Sequence, residues 1–302
     1  MPGNTFILCP GQGAQVVGMA KALCESSAVA RELFQSAGKI LDLDLASICF
    51  TGPEDRLNQT DICQPAIYVA GIASFRHAVE SAMFDAAAVT AYAGLSLGEY
   101  TALHLAGVFS FEEGLRLVRL RGKYMQEAAV ASPSGMVALI GADEPAANKI
   151  CQEAAAEEVL VPANFNAPGQ IVLSGTLTAC QRAVTAAESA GIRAAPLRVA
   201  GAFHSPLMQT AADKMVAELA KVGFNRPGKI VYSNVTAKPH DDPDSIKRLL
   251  VQQIVSPVRW EQTMQTLVAA GGDARFIELS PGRTLAGLAK RINRRLPVES
   301  LG

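Results

Sequence analysis

The chain holds 302 residues, 49% of them hydrophobic, with a formal net charge of −1 at pH 7. Such a length can bury a large core and fits one large domain, or a large domain carrying a smaller one. The charge balance argues against a nucleic-acid partner, which would call for a concentrated basic face. No apolar run approaches the roughly 20 residues that cross a bilayer, so no membrane partner is expected. Met1-Pro2-Gly3-Asn4 lacks a basic n-region and the apolar stretch at 6–9 is too short for a signal peptide, which points to a cytoplasmic protein. Six cysteines (Cys9, Cys24, Cys49, Cys63, Cys151 and Cys180) are scattered without a Cys-x-x-Cys pair or a nearby histidine. They read as reduced core thiols, and no metal site is expected.

In chain order, a short apolar strand at 5–9 is followed by amphipathic helical patterns and a small-residue strand at 86–93. Further strands, at 229–233 and 275–279, follow long helical patterns. This alternation defines an α/β class: a hydrolase-like, mostly parallel sheet with helices on both faces. Residues 133–199 read differently. Strand 136–140, helix 144–156, strands 159–164 and 170–174, helix 177–190 and strand 192–198 follow the β-α-β-β-α-β order of a ferredoxin-like α+β unit. Pro133-Ser134-Gly135 marks its entry, and Gly201 lies just past its exit. The expected organisation is a large domain from residues 1–132 and 200–302, carrying an inserted small ferredoxin-like domain at 133–199. A ligand cleft is expected between the two.

The chemistry begins at Gly94-Leu95-Ser96-Leu97-Gly98, a Gly-x-Ser-x-Gly sequence between a small-residue strand and a helical pattern opening at Glu99. In such a strand-to-helix turn the serine is strained and exposed, and flanking glycines are needed because side chains would clash. Ser96 would stand at a helix N-terminus, where amide dipoles favour developing negative charge. An ordinary glycine turn with a capping serine is the plainer alternative. A nucleophilic serine needs a base. His77 and His104 fall within helical patterns and His240 in the polar loop Lys238-Pro239-His240-Asp241-Asp242. His204 differs, standing in Gly201-Ala202-Phe203-His204-Ser205-Pro206 just before a helix capped by Ser205 and opened by Pro206. A helix N-terminus disfavours imidazolium and keeps such a ring able to accept a proton.

Arg121 is the cation out of place. Arg116, Arg119 and Lys123 share a polar helical face with Glu112, Glu113 and Gln126, but Arg121 has Leu117, Val118, Tyr124 and Met125 at helical spacing. A buried cation needs a carboxylate of the protein or of a ligand. From the residues alone a structural ion pair is the simpler account, although a planar guanidinium also suits bidentate capture of a carboxylate. Gly11-Gln12-Gly13-Ala14-Gln15 follows the first strand but fails dinucleotide spacing, because Val16 occupies the third glycine position. In a hydrolase-like fold a loop after an early strand supplies one oxyanion-hole amide and the residue after the nucleophile the other, which selects Gln12 and Leu97. A plain tight turn accounts for the loop equally well. The basic cluster Lys290, Arg291, Arg294 and Arg295 reads as a solvated helix end, with a docking surface for an acidic partner as the lesser reading.

Six segments together resemble the malonyl-CoA:acyl carrier protein transacylases, over almost the whole chain and in that family's order and spacing. They are Pro10-Gly11-Gln12-Gly13-Ala14-Gln15, Gly94-Leu95-Ser96-Leu97-Gly98-Glu99-Tyr100, Arg119-Leu120-Arg121-Gly122-Lys123-Tyr124-Met125-Gln126, Asn164-Phe165-Asn166-Ala167-Pro168-Gly169-Gln170, Gly201-Ala202-Phe203-His204-Ser205-Pro206-Leu207-Met208 and Ser256-Pro257-Val258-Arg259-Trp260. The resemblance implies Ser96 as acyl acceptor, His204 as base, Arg121 as the holder of the malonyl carboxylate, and the Gln12 and Leu97 amides as oxyanion hole. It adds that a backbone carbonyl, matching Gln253, orients the histidine. It also adds that a phenylalanine at Phe203 goes with malonyl rather than methylmalonyl units. The chain departs from many members at Leu95, where they carry histidine.

The implied activity is ping-pong malonyl transfer from malonyl-CoA to the phosphopantetheine thiol of acyl carrier protein, supplying fatty acid synthesis, with no metal or redox cofactor. A free-standing, monomeric enzyme is expected. A serine esterase of the same fold would give Arg121 no role, and a silent carrier-protein scaffold would leave Ser96, His204 and Arg121 unexplained.

Overall fold

The computed structural model describes residues 4–301. Its strands are β1 (Thr5–Cys9), β2 (Val89–Gly94), β3 (Ser134–Ile140), β4 (Leu160–Ala167), β5 (Gln170–Thr176), β6 (Arg193–Pro196), β7 (Ile230–Val231), β8 (Arg275–Glu278) and β9 (Val298–Ser300). Five of them form a sheet in the order β7-β2-β1-β8-β9, and every pairing is parallel. All five residues of the central β1 are buried. Because side chains alternate across a strand, Phe6 and Leu8 pack with Trp260, Met264 and Phe276, while Ile7 and Cys9 enter the cluster of Ile67, Tyr68 and Leu97. Burial on both faces is what makes β1 read as an unbroken apolar run.

Strands β3 to β6 form a second, antiparallel sheet in the order β4-β5-β3-β6, with helices Glu144–Ala155 and Leu177–Ser189 as its crossovers. That is the β-α-β-β-α-β order expected from the sequence. Alternation again decides the packing. Val137, Leu139 and Leu173 face those two helices with Ile150 and Ala183, whereas Met136, Ala138 and Val172 join the main core. One isolated parallel bridge fastens β4 to the loop before helix Trp260–Gly271: the Phe165 N–H donates to the Val258 carbonyl at 2.9 Å and the Val258 N–H to the Ala163 carbonyl at 2.8 Å.

Several strand boundaries differ from the sequence reading, and the strand expected at 192–198 is observed only as Arg193–Pro196. The strand expected at 86–93 begins with a 3-10 turn, Ala86–Ala88, because the Asp85 side chain accepts the Ala87 N–H at 2.8 Å and alanine has little strand preference. The strand expected at 229–233 shrinks to the two residues of β7 at a sheet edge, and β9 adds a short parallel strand at the opposite edge.

Strand β2 ends at Gly94 and helix Gly98–Leu105 begins four residues later, with Ser96 between them at φ 52°. A side chain at Gly94 would run into the Gly98 backbone, and one at Gly98 into the Cys9 carbonyl at the end of β1. Close approach of three backbone segments thus requires glycine on both sides of the serine. Gly98→Ala is expected to destabilise the fold by about 1–3 kcal/mol, as an overpacked core position does. Denaturant unfolding checks this, and an unchanged midpoint would show that β1 and the helix can move apart freely.

Candidate active site

The turn aims Ser96 at His204. Ser96 Oγ lies 2.8 Å from His204 Nε2, and His204 Nδ1 lies 2.7 Å from the Gln253 carbonyl oxygen. A carbonyl can only accept, so Nδ1 carries the proton and Nε2 is left to accept from the serine. His204 itself has φ 59°, and the 3-10 turn Pro206–Met208 follows, with the Leu207 N–H donating to Ser205 Oγ at 3.3 Å. Burial, and after it the nearby Arg121 charge, push the His204 imidazole down to about 4, against the opposing Gln253 bond. The ring is therefore neutral at ordinary pH.

Arg121 sits in helix Phe111–Ala131, 1% exposed. Its Nη1 donates to Gln64 Oε1 at 2.8 Å and its Nη2 to Gln253 Oε1 at 2.9 Å and Ser96 Oγ at 3.0 Å. None of the ion pairs among the described residues includes it, so the structural pair favoured from the residues alone is not made. Its Nε is buried without a hydrogen-bond partner among the described residues. The Tyr100 ring lies 5.6 Å from its guanidinium carbon.

Ser96, His204, Arg121 and Phe203 all line a cavity of about 220 Å³, with Gln12 and Leu95 on one side and Asn164, Asn166 and Gln170 of the antiparallel sheet on the other. Among the described residues the N–H groups of Gln12 and Leu97 have no hydrogen-bond partner. Leu97 is fully buried and is not among the lining residues, so the wall directly exposes only Gln12 of that pair. Asn166 Oδ1 and Gln170 Oε1 are buried acceptors with no partner among the described residues. A larger groove, about 870 Å³ between the helices of residues 21–51, contains none of these groups and lies away from the chemistry.

Four residues contribute in ways that the sequence reading did not assign. Gln64 is a polar residue inside the apolar run Ile62-Cys63-Gln64-Pro65-Ala66, the same kind of signal that marks Arg121. Asn234 clamps the turn, accepting the Ser96 N–H and donating to the Gly94 carbonyl at 2.6 Å. Glu99 is fully buried beneath the turn, where its Oε1 meets His240 Nε2 at 2.7 Å. His240, read as part of a polar loop, is thus buried by a partner 141 residues away, which local pattern cannot reveal. His104, by contrast, bonds the nearby Phe109 carbonyl at 3.1 Å, as a structural histidine would.

A hydroxyl held by a neutral imidazole in a strand-to-helix turn is suited to forming and breaking an acyl ester. The acyl transferase domain family matches residues 5–298, and the chain belongs to that family. Among its relatives, malonyl CoA-acyl carrier protein transacylase of Escherichia coli (strain K12) is 42% identical over 284 residues, covering 94% of this chain and 91% of that protein. The protein of the same description from Bacillus subtilis (strain 168) is 40% identical over 291 residues, covering 96% and 90%. The crystal structure of an acyl carrier protein S-malonyltransferase from Vibrio cholerae O1 biovar eltor matches with a TM-score of 0.93 and 40% identity, over 98% of this chain and 96% of that one. A type II PKS acyl-carrier protein in complex with its malonyl-transacylase includes a chain matching with a TM-score of 0.94 and 38% identity, over 98% and 95%.

The depressed His204 pKa sets a pH dependence. With the neutral ring as base, serine acylation would stay level from neutral pH downward and fall only as pH drops through about 4. Arg121→Ala removes one depressing charge and should move that limb upward. The pH profile of kcat/KM reads both, and a wild-type limb near the ordinary histidine value would show that the ring is solvated.

Proposed function

We propose that this chain moves the malonyl group of malonyl-CoA to the phosphopantetheine thiol of an acyl carrier protein through an ester on Ser96, supplying fatty acid synthesis. The observation that carries the reading is the Ser96 hydroxyl shared between a neutral imidazole and a buried guanidinium that has no carboxylate of its own. In the first half-reaction His204 Nε2 takes the Ser96 proton as Oγ attacks the thioester carbon. The oxyanion is met by the amides of Gln12 and Leu97, the carbon–sulfur bond breaks, and the coenzyme A thiolate recovers the proton from the imidazolium. In the second, the carrier thiol gives its proton to His204 and attacks the ester, and Ser96 leaves with that proton. Each half exchanges one ester linkage for another, so no redox cofactor enters the balance.

Arg121 pairs with the free carboxylate of the malonyl group, replacing its bond to Ser96 Oγ and using donors that the amides of Gln64 and Gln253 leave free. The orphaned oxygens of Asn166 and Gln170 suit the amide N–H groups of a pantetheine arm. On this reading residues 133–199 act as a small domain inserted into 1–132 and 200–302, the Gln253 carbonyl holds His204 in its accepting tautomer, and the chain works as a cytoplasmic monomer. Among the described residues no helix is long and apolar enough to cross a membrane.

Incubation with malonyl-CoA should add one malonyl mass to the protein, and Ser96→Ala should take none. Arg121→Ala should narrow the gap in kcat/KM between malonyl-CoA and acetyl-CoA, because acetyl leaves the guanidinium unpaired in wild type. Equal loss for both thioesters would make Arg121 a purely structural residue. Phe203, 6% exposed, lines the cavity, and on this reading its ring takes the space a branching methyl would need. Phe203→Ser should therefore improve methylmalonyl-CoA relative to malonyl-CoA by about 1–3 kcal/mol in transition-state binding. An unchanged ratio would move the acyl pocket elsewhere.

A further inference from the structure

Glu99 is a fully buried acid one residue inside the helix that begins at Gly98, and the reaction does not use it directly. Its Oε2 accepts from Gln253 Nε2 at 2.7 Å and from the Asn234 N–H at 3.0 Å, and its Oε1 meets His240 Nε2 at 2.7 Å. A carboxylate offers acceptors only, so the Gln253 side chain must turn its NH₂ toward Glu99. The same NH₂ donates to the Ser96 carbonyl at 3.0 Å. The amide oxygen is thereby directed at Arg121 Nη2, 2.9 Å away. The reverse orientation would set NH₂ against the guanidinium and oxygen against the carboxylate, placing donor on donor and acceptor on acceptor.

We propose that Glu99, held by His240, is a positioning residue that makes the site select acyl groups bearing a free carboxylate, acting on Arg121 through the Gln253 side-chain amide. The proposal rests on the malonyl-transfer reading above. A carboxylate in direct contact would neutralise Arg121 and occupy its donors. One amide away, Glu99 supplies the balancing charge and fixes the fork, yet leaves Arg121 Nε unpaired and Nη2 exchangeable for a ligand oxygen. His240 limits the freedom of Glu99 from the far side, where both side chains are shut off from solvent. Placement by a partner's partner is the usual way a rigid ligand-binding group is held.

The competing account is that Glu99 only braces the serine turn through Asn234. The test compares kcat/KM for malonyl-CoA and acetyl-CoA in wild type, Glu99→Gln, Gln253→Met, His240→Leu and His240→Gln, with thermal unfolding recorded for each. In Glu99→Gln and Gln253→Met the malonyl-to-acetyl ratio should fall about 10- to 100-fold, the range for losing a hydrogen bond to a charged group, chiefly through the KM for malonyl-CoA. His240→Leu should give a smaller fall, and His240→Gln, whose amide can still donate to Glu99, should recover most of it. If both thioesters lose equally and the ratio holds, Glu99 is a brace and the proposal is overturned. Should Glu99→Gln not fold, Gln253→Met, which keeps the backbone carbonyl against His204, decides the matter by itself. A wild type that never preferred malonyl-CoA would instead overturn the acyl-group reading, and this proposal with it.

Discussion

A charged guanidinium taken out of water without a carboxylate beside it is the constraint around which the site is built. Desolvating Arg121 costs several kcal/mol, and the neutral amide oxygens of Gln64 and Gln253 return only part of that. Holding Gln64 against Arg121 requires helices Thr60–Glu80 and Phe111–Ala131 to pack closely. Gly122, one residue after Arg121, permits this, because a side chain there would enter the backbone at Thr60 and Asp61. A core designed for stability alone would not bury such a group. Its presence beside a reactive hydroxyl is the kind of local cost that folds carry at functional sites.

Backbone strain is the second such cost. Ser96 and His204 both occupy the left-handed region, at φ 52° and 59°, and neither is glycine. The surroundings over-determine both. Asn234 holds Ser96 from the strand side, Gln253 from the helix side, and Ser205 Oγ donates to the Ala202 carbonyl at 2.6 Å to close the loop carrying His204. The imidazole then meets the hydroxyl in the right tautomer without any acidic partner on Nδ1. That absence suits a site whose guanidinium already lowers the histidine pKa and would attract an added carboxylate.

The two sheets supply different parts of the cavity. The parallel sheet ends in the turn that presents Ser96, and the antiparallel sheet contributes the amide-rich wall of Asn164, Asn166 and Gln170. Their relative placement rests on Val258, whose backbone bonds residues 163 and 165 while its side chain packs with Phe6 and Leu8, and on Met136, Ala138 and Val172, which belong to the main core. The segment Ser256-Pro257-Val258-Arg259-Trp260 therefore has a structural task. Val258 bonds β4 through its backbone and packs on β1 through its side chain, while Trp260, fully buried, begins the helix that packs against the parallel sheet.

The fold class, the β-α-β-β-α-β run and the strand-to-helix turn were legible in the sequence because each is encoded locally, by period-2 or helical alternation and by glycines that leave room for close backbones. Arg121 was legible for the same reason, as a cation on an apolar helical stripe. Its partner was not. Local pattern made a protein carboxylate the simpler choice, and the fold placed two amides there instead. Gln64, Asn234 and Glu99 escaped notice because a polar residue in an apolar segment signals burial but not what it will meet. His240 does lie in the loop where the sequence put it, but its burial could not be read there, since its partner Glu99 is 141 residues away and no short window contains both. The sequence by itself determined the elements and singled out Ser96, His204 and Arg121, signals that depend on neighbours within a few residues. Only the tertiary structure decided which groups share a proton or a charge, because those pairings join chain segments up to 157 residues apart.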